Sequence, residues 1–375
     1  MDNNPQEVSQ GLADVVVGET KISSVGLKGI GLNYFGYSIY DLAEGAIFEE
    51  VAFLLLNKKL PNRHDLDNFQ AELHENRSLP ASVCNILESI PKEAHPMDVM
   101  RTVTSFLGTI EPESDDNKLD KIAIRLLAML PGALLYWYNF HFNNKKIETN
   151  SNEPNIASHF LKLLTGKELS DDCKKALDVS LILYAEHEFN ASTFAARICT
   201  STMSDYYSAI TAAIGTLRGP LHGGANEFAM NLIDKYQNTQ DAADGIKHLL
   251  ENKEKIMGFG HRVYKVSDPR SDIIKKWAKK LSEINNDIRL FPIAEKIEQV
   301  MWDDKHLFPN LDFYSALVYN FCDIPSILFT PIFVISRITG WSAHIKEQRE
   351  NNKLIRPKAN YVGLEKVNFI PLSSR

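Results

Sequence analysis

Phe48-Glu-Glu-Val-Ala-Phe-Leu-Leu-Leu56 is built from helix formers and ends before Pro61. Just beyond it, residues 65–75 place Leu66, Phe69 and Leu73 at three- and four-residue intervals, the spacing of one α-helical face. The same pattern recurs over 120–138, 176–187, 192–201, 225–236 and 272–281. Strand signals cluster in residues 15–40, where β-branched runs are broken by Gly18, Gly26, Gly29, Gly31 and Gly36, and they suggest a small β-hairpin element. They do not return in a series, which argues against a parallel sheet of alternating strands and helices. The expected fold class is all-α, with a small N-terminal β-hairpin.

The chain of 375 residues is longer than one core usually supports. Two domains are expected, or one large domain with a smaller one built into it. Apolar content of 44% and charged content of 24% are ordinary for a globular enzyme. A formal charge of -7 argues against a general nucleic-acid binder, whereas a small anionic ligand responds to local charge. Cys84, Cys173, Cys199 and Cys322 are scattered, with no Cys-x-x-Cys pair. Their spacing supports neither a zinc site nor a disulfide framework, and they read as buried thiols in a reducing, cytoplasmic setting. The first ten residues are polar and lack the basic-then-apolar order of a signal peptide.

Two apolar stretches invite a membrane reading. Residues 124–140 contain Arg125, Pro131 and Gly132, and residues 312–341 contain Asp312, Asp323, Arg337 and two prolines. Neither supplies the roughly 20 uninterrupted apolar residues that spanning requires, so both read as core helices. Polar interruptions at 111–120 and 143–155 read as exposed loops. No P-loop, Gly-x-Ser-x-Gly elbow or His-Glu-x-x-His pair occurs, and Gly29-x-Gly31 lacks the third glycine of a dinucleotide fingerprint.

Three of the 11 histidines sit in unusual company. They are His187 in Ala185-Glu-His-Glu-Phe-Asn-Ala-Ser-Thr193, His222 in Arg218-Gly-Pro-Leu-His-Gly-Gly-Ala-Asn226, and His261 in Gly258-Phe-Gly-His-Arg-Val-Tyr-Lys265. A lone histidine is more often a core or surface residue than a catalyst. Around His222, however, Pro220 and Gly223-Gly224 form a sharp turn before a helix, whose dipole disfavours the imidazolium. A neutral imidazole donates well to a developing enolate oxygen. Glycines on both sides of His261 let a ligand approach the backbone. Lys253, Lys255, His261, Arg262, Lys265 and Arg270 make that stretch locally basic, which fits either a solvated loop or a site for the phosphates of a nucleotide-containing thioester.

In Phe308-Pro-Asn-Leu-Asp-Phe-Tyr-Ser315, Asp312 stands just inside an apolar helix. It could be the N-cap, unless Asn310 caps instead and leaves Asp312 for chemistry. Arg337 lies within the apolar helix over 331–340, and Arg356 precedes Pro357 after a polar turn. A buried arginine needs an anionic partner, and its fork suits a carboxylate.

Taken in order, these segments resemble the citrate synthase family over about residues 12–363. The resemblance rests on Gly36-Tyr-Ser-Ile-Tyr-Asp-Leu42, His95-Pro-Met-Asp-Val-Met-Arg101, Glu186-His-Glu188, Gly219-Pro-Leu-His-Gly-Gly-Ala-Asn226, Gly258-Phe-Gly-His261, Asp268-Pro-Arg270, Pro309-Asn-Leu-Asp312 and Arg356-Pro357. Other pieces are closer to the 2-methylcitrate synthase branch: Tyr184-Ala-Glu-His-Glu-Phe-Asn-Ala-Ser-Thr-Phe194, Leu135-Tyr-Trp-Tyr138, Val300-Met-Trp302, Phe329-Thr-Pro-Ile-Phe-Val-Ile335 and Ile355-Arg-Pro-Lys-Ala-Asn-Tyr-Val-Gly363. Gly260-His-Arg-Val-Tyr-Lys265 is as similar to citrate synthases. Phe35 stands where the family commonly has an arginine, so that arginine's role is absent or replaced.

The resemblance implies a helical homodimer with a cleft between two domains. The small domain would span residues 219–323, and the large one residues 1–218 and 324–375. It implies condensation of oxaloacetate with an acyl-CoA, followed by thioester hydrolysis. The closer segments point to propionyl-CoA, with acetyl-CoA the alternative. By similarity Asp312 is the base, His222 the donor to the thioester oxygen, and His261 the group that polarises the ketone. His187, Arg270 and Arg337 would hold the oxaloacetate carboxylates, with Arg356 supplied by the partner subunit. Lys255, Ile256, Met257, Gly258 and Phe259 resemble the CoA-binding loop. Coenzyme A enters as part of a substrate, and neither a cofactor nor a metal is implied.

Overall fold

Helix caps and burial account for most of the elements in the computed structural model, which describes residues 9–12, 15–26, 31–364 and 366–375. Gly29 and residues 1–8 of the polar N-terminal segment lie outside the described residues. The N-terminal strands form a three-stranded antiparallel sheet of β1 (Ser23–Val25), β2 (Leu32–Tyr34) and β3 (Tyr37–Ser38). Ser23 pairs with Tyr34, and Asn33 with Ser38. The expected hairpin is therefore β2–β3, extended by one strand. Its turn is Phe35-Gly36, both with positive φ (46° and 88°). Gly36 adopts that conformation without strain, whereas Phe35 adopts it against the steric cost of its Cβ.

Sixteen α-helices follow among the described residues. The first eight are α1 (Ile39–Gly45), α2 (Phe48–Asn57), α3 (Arg63–Glu75), α4 (Ala81–Ser89), α5 (Pro96–Ile110), α6 (Leu119–Asn143), α7 (Ile156–Thr165) and α8 (Asp171–Tyr184). The rest are α9 (Ala191–Ser201), α10 (Tyr206–Leu217), α11 (Ala225–Asp234), α12 (Thr239–Glu251), α13 (Pro269–Ile284), α14 (Leu290–Lys305), α15 (Leu311–Phe321) and α16 (Phe329–Glu350). The protein is mostly helical, as its periodicity predicts.

One boundary differs in a way that matters. The spacing predicts a helix over 176–187, but α8 stops at Tyr184. Glu188 turns into the left-handed region at φ 51°, and the Asn190 side chain accepts the Thr193 N–H to start α9. His187 is thereby placed in a tight turn between two buried helices, where it can face a ligand.

The long apolar stretches are core. Ser326–Glu350 is long and apolar enough to cross a membrane by length and composition, more so than its sequence suggested. Yet every residue from Phe329 to Ile345 is buried, packed among α2, α6, α8 and α9. Helices α11 to α15 pack chiefly on one another, and α8 meets both α13 and α15. The candidate residues gather where α8, α15, α16 and the loop after α12 come together.

Candidate active site

Asp312 owes its position to its neighbours. Asn310 caps α15, its side chain accepting the Asp312 N–H at 3.1 Å, so the aspartate side chain is released from capping. The Tyr184 hydroxyl donates to Asp312 Oδ1 at 2.6 Å and lies 2.8 Å from Ser315 Oγ. Burial raises the Asp312 pKa above the usual carboxylate range, while the Tyr184 hydrogen bond and nearby Arg270 work against that rise. A carboxylate held this way is a stronger base than one in water.

His222 precedes α11, whose N-cap is Gly224. Its Nε2 accepts the Ser192 backbone N–H at 3.2 Å and lies 2.8 Å from the Ser192 hydroxyl. Since Nε2 is an acceptor, the proton of the neutral ring sits on Nδ1 and is free to donate. The pKa is lowered to about 4, first by burial and then by Arg337. Neutrality was expected from the helix dipole, and here desolvation and a nearby cation favour it.

The loop carrying His261 is stitched to the start of α15. The Gly260 N–H donates to Phe308 O at 2.8 Å, the Asn310 N–H to Gly258 O at 2.9 Å, and the Asn310 side chain to Gly260 O at 3.1 Å. Gly258 has φ 91°, and a Cβ there would come within 3.1 Å of the Phe313 ring, so only glycine fits. His261 Nδ1 accepts the N–H groups of Val263 (3.1 Å) and Tyr264 (3.3 Å), which leaves the proton on Nε2. Burial, then Arg270, lowers its pKa to about 4. The His187 ring lies 5.0 Å from the His261 ring, and its Nε2 is 3.2 Å from the Tyr264 hydroxyl. Its pKa is held well below the ordinary histidine value by burial and Arg270.

Two buried guanidiniums complete the cluster. Arg270 makes a two-pronged pair with Asp268, Nε to Oδ1 at 3.0 Å and NH2 to Oδ2 at 2.8 Å. Asp268 also accepts the Leu311 N–H at 3.1 Å, linking the arginine to the start of α15. Arg337 donates Nε to Tyr184 O at 2.7 Å and lies 4.5 Å over the Phe333 ring. Its NH1, fully buried, has no hydrogen-bond partner among the described residues. A buried donor of that kind is suited to an anionic ligand.

The structure thus brings His187, His222, His261, Arg270, Asp312 and Arg337 together. Arg356 is exposed in the extended segment after α16. In the CoA-loop candidates, Ile256 and Gly258 are buried, Met257 and Phe259 half-buried, and Lys255 exposed. Of the basic cluster, only His261 and Arg270 turn inward, while Lys253, Arg262 and Lys265 face solvent. Sequence reasoning missed Tyr184, Ser192 and Tyr264 as partners. Ser192 and Tyr264 lie in segments singled out for their histidines and Tyr184 immediately precedes one, but nothing in local spacing says that a tyrosine meets an aspartate 128 positions away.

Neutral imidazole donors, a carboxylate of raised pKa and buried guanidiniums gathered together are the groups suited to enolising a carbonyl compound beside an anionic substrate. The family description "Citrate synthase, C-terminal domain" matches residues 11–358. A 2-methylcitrate synthase of Shewanella oneidensis is 52% identical over 97% of this chain and 97% of its own length. Citrate synthase 2 of Bacillus subtilis is 42% identical, covering 98% and 99% of the two chains. A structure of the Thermoplasma acidophilum citrate synthase in ternary complex with carboxymethyl coenzyme A and oxaloacetate superposes with a TM-score of 0.91 at 33% identity, covering 98% of this chain and 100% of that one. The chain belongs to the citrate synthase family, and it is an acyltransferase that condenses an acyl-CoA with oxaloacetate.

Proposed function

We propose that this enzyme is a 2-methylcitrate synthase, condensing propionyl-CoA with oxaloacetate and water to give 2-methylcitrate and CoA. The observation that carries the acyl assignment is the near full-length identity with the Shewanella relative of that name. Asp312 removes the α-proton of the acyl-CoA through the carboxylate oxygen that Tyr184 leaves free. His222 donates Nδ1–H to the thioester oxygen as negative charge develops there. His261 donates Nε2–H to the oxaloacetate ketone and then protonates the new alkoxide. General acid–base steps of this kind contribute ~10²–10⁴-fold each. Arg270, Arg337 and His187 hold the oxaloacetate carboxylates, so the reading requires no metal and no cofactor.

The active unit in this proposal is a homodimer, because Arg356 reaches the partner subunit's site. Residues 219–323 form a small domain that closes on the large domain (1–218 and 324–375) and excludes water before condensation. Residues Lys255 to Phe259 receive coenzyme A.

A citrate synthase using acetyl-CoA is the second reading, favoured by Arg262 and Lys265 and by the Bacillus relative. Turnover of both thioesters by one purified sample at saturating oxaloacetate separates the two. Propionyl-CoA should have the higher kcat/KM, by no more than the ~10–200-fold that one methylene provides. A preference for acetyl-CoA of about tenfold or more would remove the methylcitrate assignment and leave the family chemistry standing.

A further inference from the structure

Helices α8 and α15 run antiparallel and meet side chain to side chain at three levels. Nearest the site, Tyr184 donates to Asp312. Midway, the Ser180 and Tyr319 hydroxyls are 2.6 Å apart. At the far end, Cys173 and Cys322 face each other. Cys173 Sγ is 3.9 Å from Phe321 O, and Cys322 Sγ is 3.8 Å from Cys173 O. Each thiol reaches the backbone that carries the other, so the two cysteines are direct neighbours. The pair lies 149 residues apart in sequence, where spacing alone reveals nothing.

The two sulfurs are unequal. Cys173 sits in the first turn of α8, where helix N–H groups favour a thiolate. Its pKa is lowered to about 7, chiefly by the hydrogen bond from Cys322, against burial, Asp323 and Asp172. Cys322 is more deeply buried and is held as a thiol by that same hydrogen bond and by desolvation. The half-buried thiols of Cys84 and Cys199 are pushed up by desolvation and are poor nucleophiles.

We propose that Cys173 and Cys322 form an oxidation site, converted by a peroxide into an intrachain disulfide that ties the first turn of α8 to the end of α15. The Cys173 thiolate attacks the peroxide O–O bond and becomes a sulfenic acid, releasing water. The Cys322 thiol then displaces the sulfenic oxygen as a second water. Two electrons pass from the sulfurs to hydrogen peroxide, and no further reactant is needed. The tie lies ~16 Å along α8 from Tyr184, at the end away from the chemistry. It therefore acts by fixing the angle between α8 and α15, on which the Tyr184–Asp312 contact depends. Its effect on turnover rests on the domain closure proposed above, whereas disulfide formation does not.

Purified, fully reduced enzyme treated with hydrogen peroxide, alkylated and mapped under non-reducing conditions tests the linkage directly in the wild-type chain. The expected product is a peptide joining Cys173 to Cys322, with Cys84 and Cys199 still free to alkylate. Oxidation of Cys84 or Cys199 without that linked peptide would overturn the site. In linked enzyme, turnover with oxaloacetate and acyl-CoA should fall by about an order of magnitude and return with dithiothreitol. The Cys322→Ala or Cys322→Ser variant, which cannot form the link, should keep its turnover through the same peroxide dose. Fully linked enzyme with undiminished turnover would overturn the control of closure, while leaving the proposed condensation untouched.

Discussion

Arg270 and Arg337 are buried guanidiniums of one site, and the protein treats their charges in opposite ways. Arg270 is locked to Asp268 through two hydrogen bonds, which raise its pKa despite complete burial. Arg337 donates to a carbonyl and lies over an aromatic face, and makes no ion pair among the described residues. Burial lowers its pKa to about 10, with Glu186 opposing. Both remain protonated at neutral pH, but of the two Arg337 alone has, among the described residues, no carboxylate partner and one buried nitrogen without a hydrogen bond. The difference separates an arginine whose charge is already shared with a protein carboxylate from one whose charge is not, although both are proposed to meet oxaloacetate.

The largest effect should come from breaking the prepaired arginine. Arg270→Met strands the buried Asp268 carboxylate and loosens its hold on the Leu311 N–H, so stability should fall by about 3–5 kcal/mol. Urea denaturation measures this. A loss no greater than that of Arg337→Met would abolish the distinction.

The third arginine, Arg356, extends the comparison to the proposed dimer. Asp312→Asn alone should lower turnover at least ~10²-fold, since it keeps the shape and removes the proton acceptor. Mixing Asp312→Asn subunits with Arg356→Ala subunits should restore part of the activity, because each heterodimer then holds one intact site. No recovery after verified subunit exchange would return Arg356 to its own subunit or remove it from any site.

Arg337→Met should leave folding closer to wild type, because it removes a charge that burial already disfavours. The KM for oxaloacetate should rise ~10–150-fold, the loss of one charge-assisted hydrogen bond. An unchanged KM would show that NH1 faces something other than the substrate.

The last effect concerns pH. His222 and His261 have folded pKa values of about 4, below the ~6.5 of an unfolded chain. Between those values the unfolded state binds more protons, so stability should fall as pH drops from about 6.5 towards 4 and be level above. Arg337 lowers the His222 pKa second only to burial, so Arg337→Met should raise it and flatten the slope near pH 4 to 5. Thermal unfolding at a series of pH values reads both, and an unaltered slope would dissociate Arg337 from His222.

Local sequence carried much of this protein. Helix formers announce α2, and periodicity of three and four residues announces α3 and α6, because an amphipathic or buried helix must repeat its apolar face whatever it packs against. Asn310 two residues before Asp312 signals that the cap is provided for, since capping is decided within one turn. The glycines beside His222 and His261 mark open turns for the same local reason. Partners are another matter. That Tyr184 would reach Asp312, that Cys173 would meet Cys322 and that Arg337 would lie over Phe333 beside the Tyr184 carbonyl all follow from how α8, α15 and α16 cross. Helix crossing is set by side-chain packing between segments distant in sequence, and desolvation depends on everything that surrounds a group. The identities of the chemical groups were therefore legible in the chain, whereas their pairings, tautomers and pKa values were decided only by the tertiary structure.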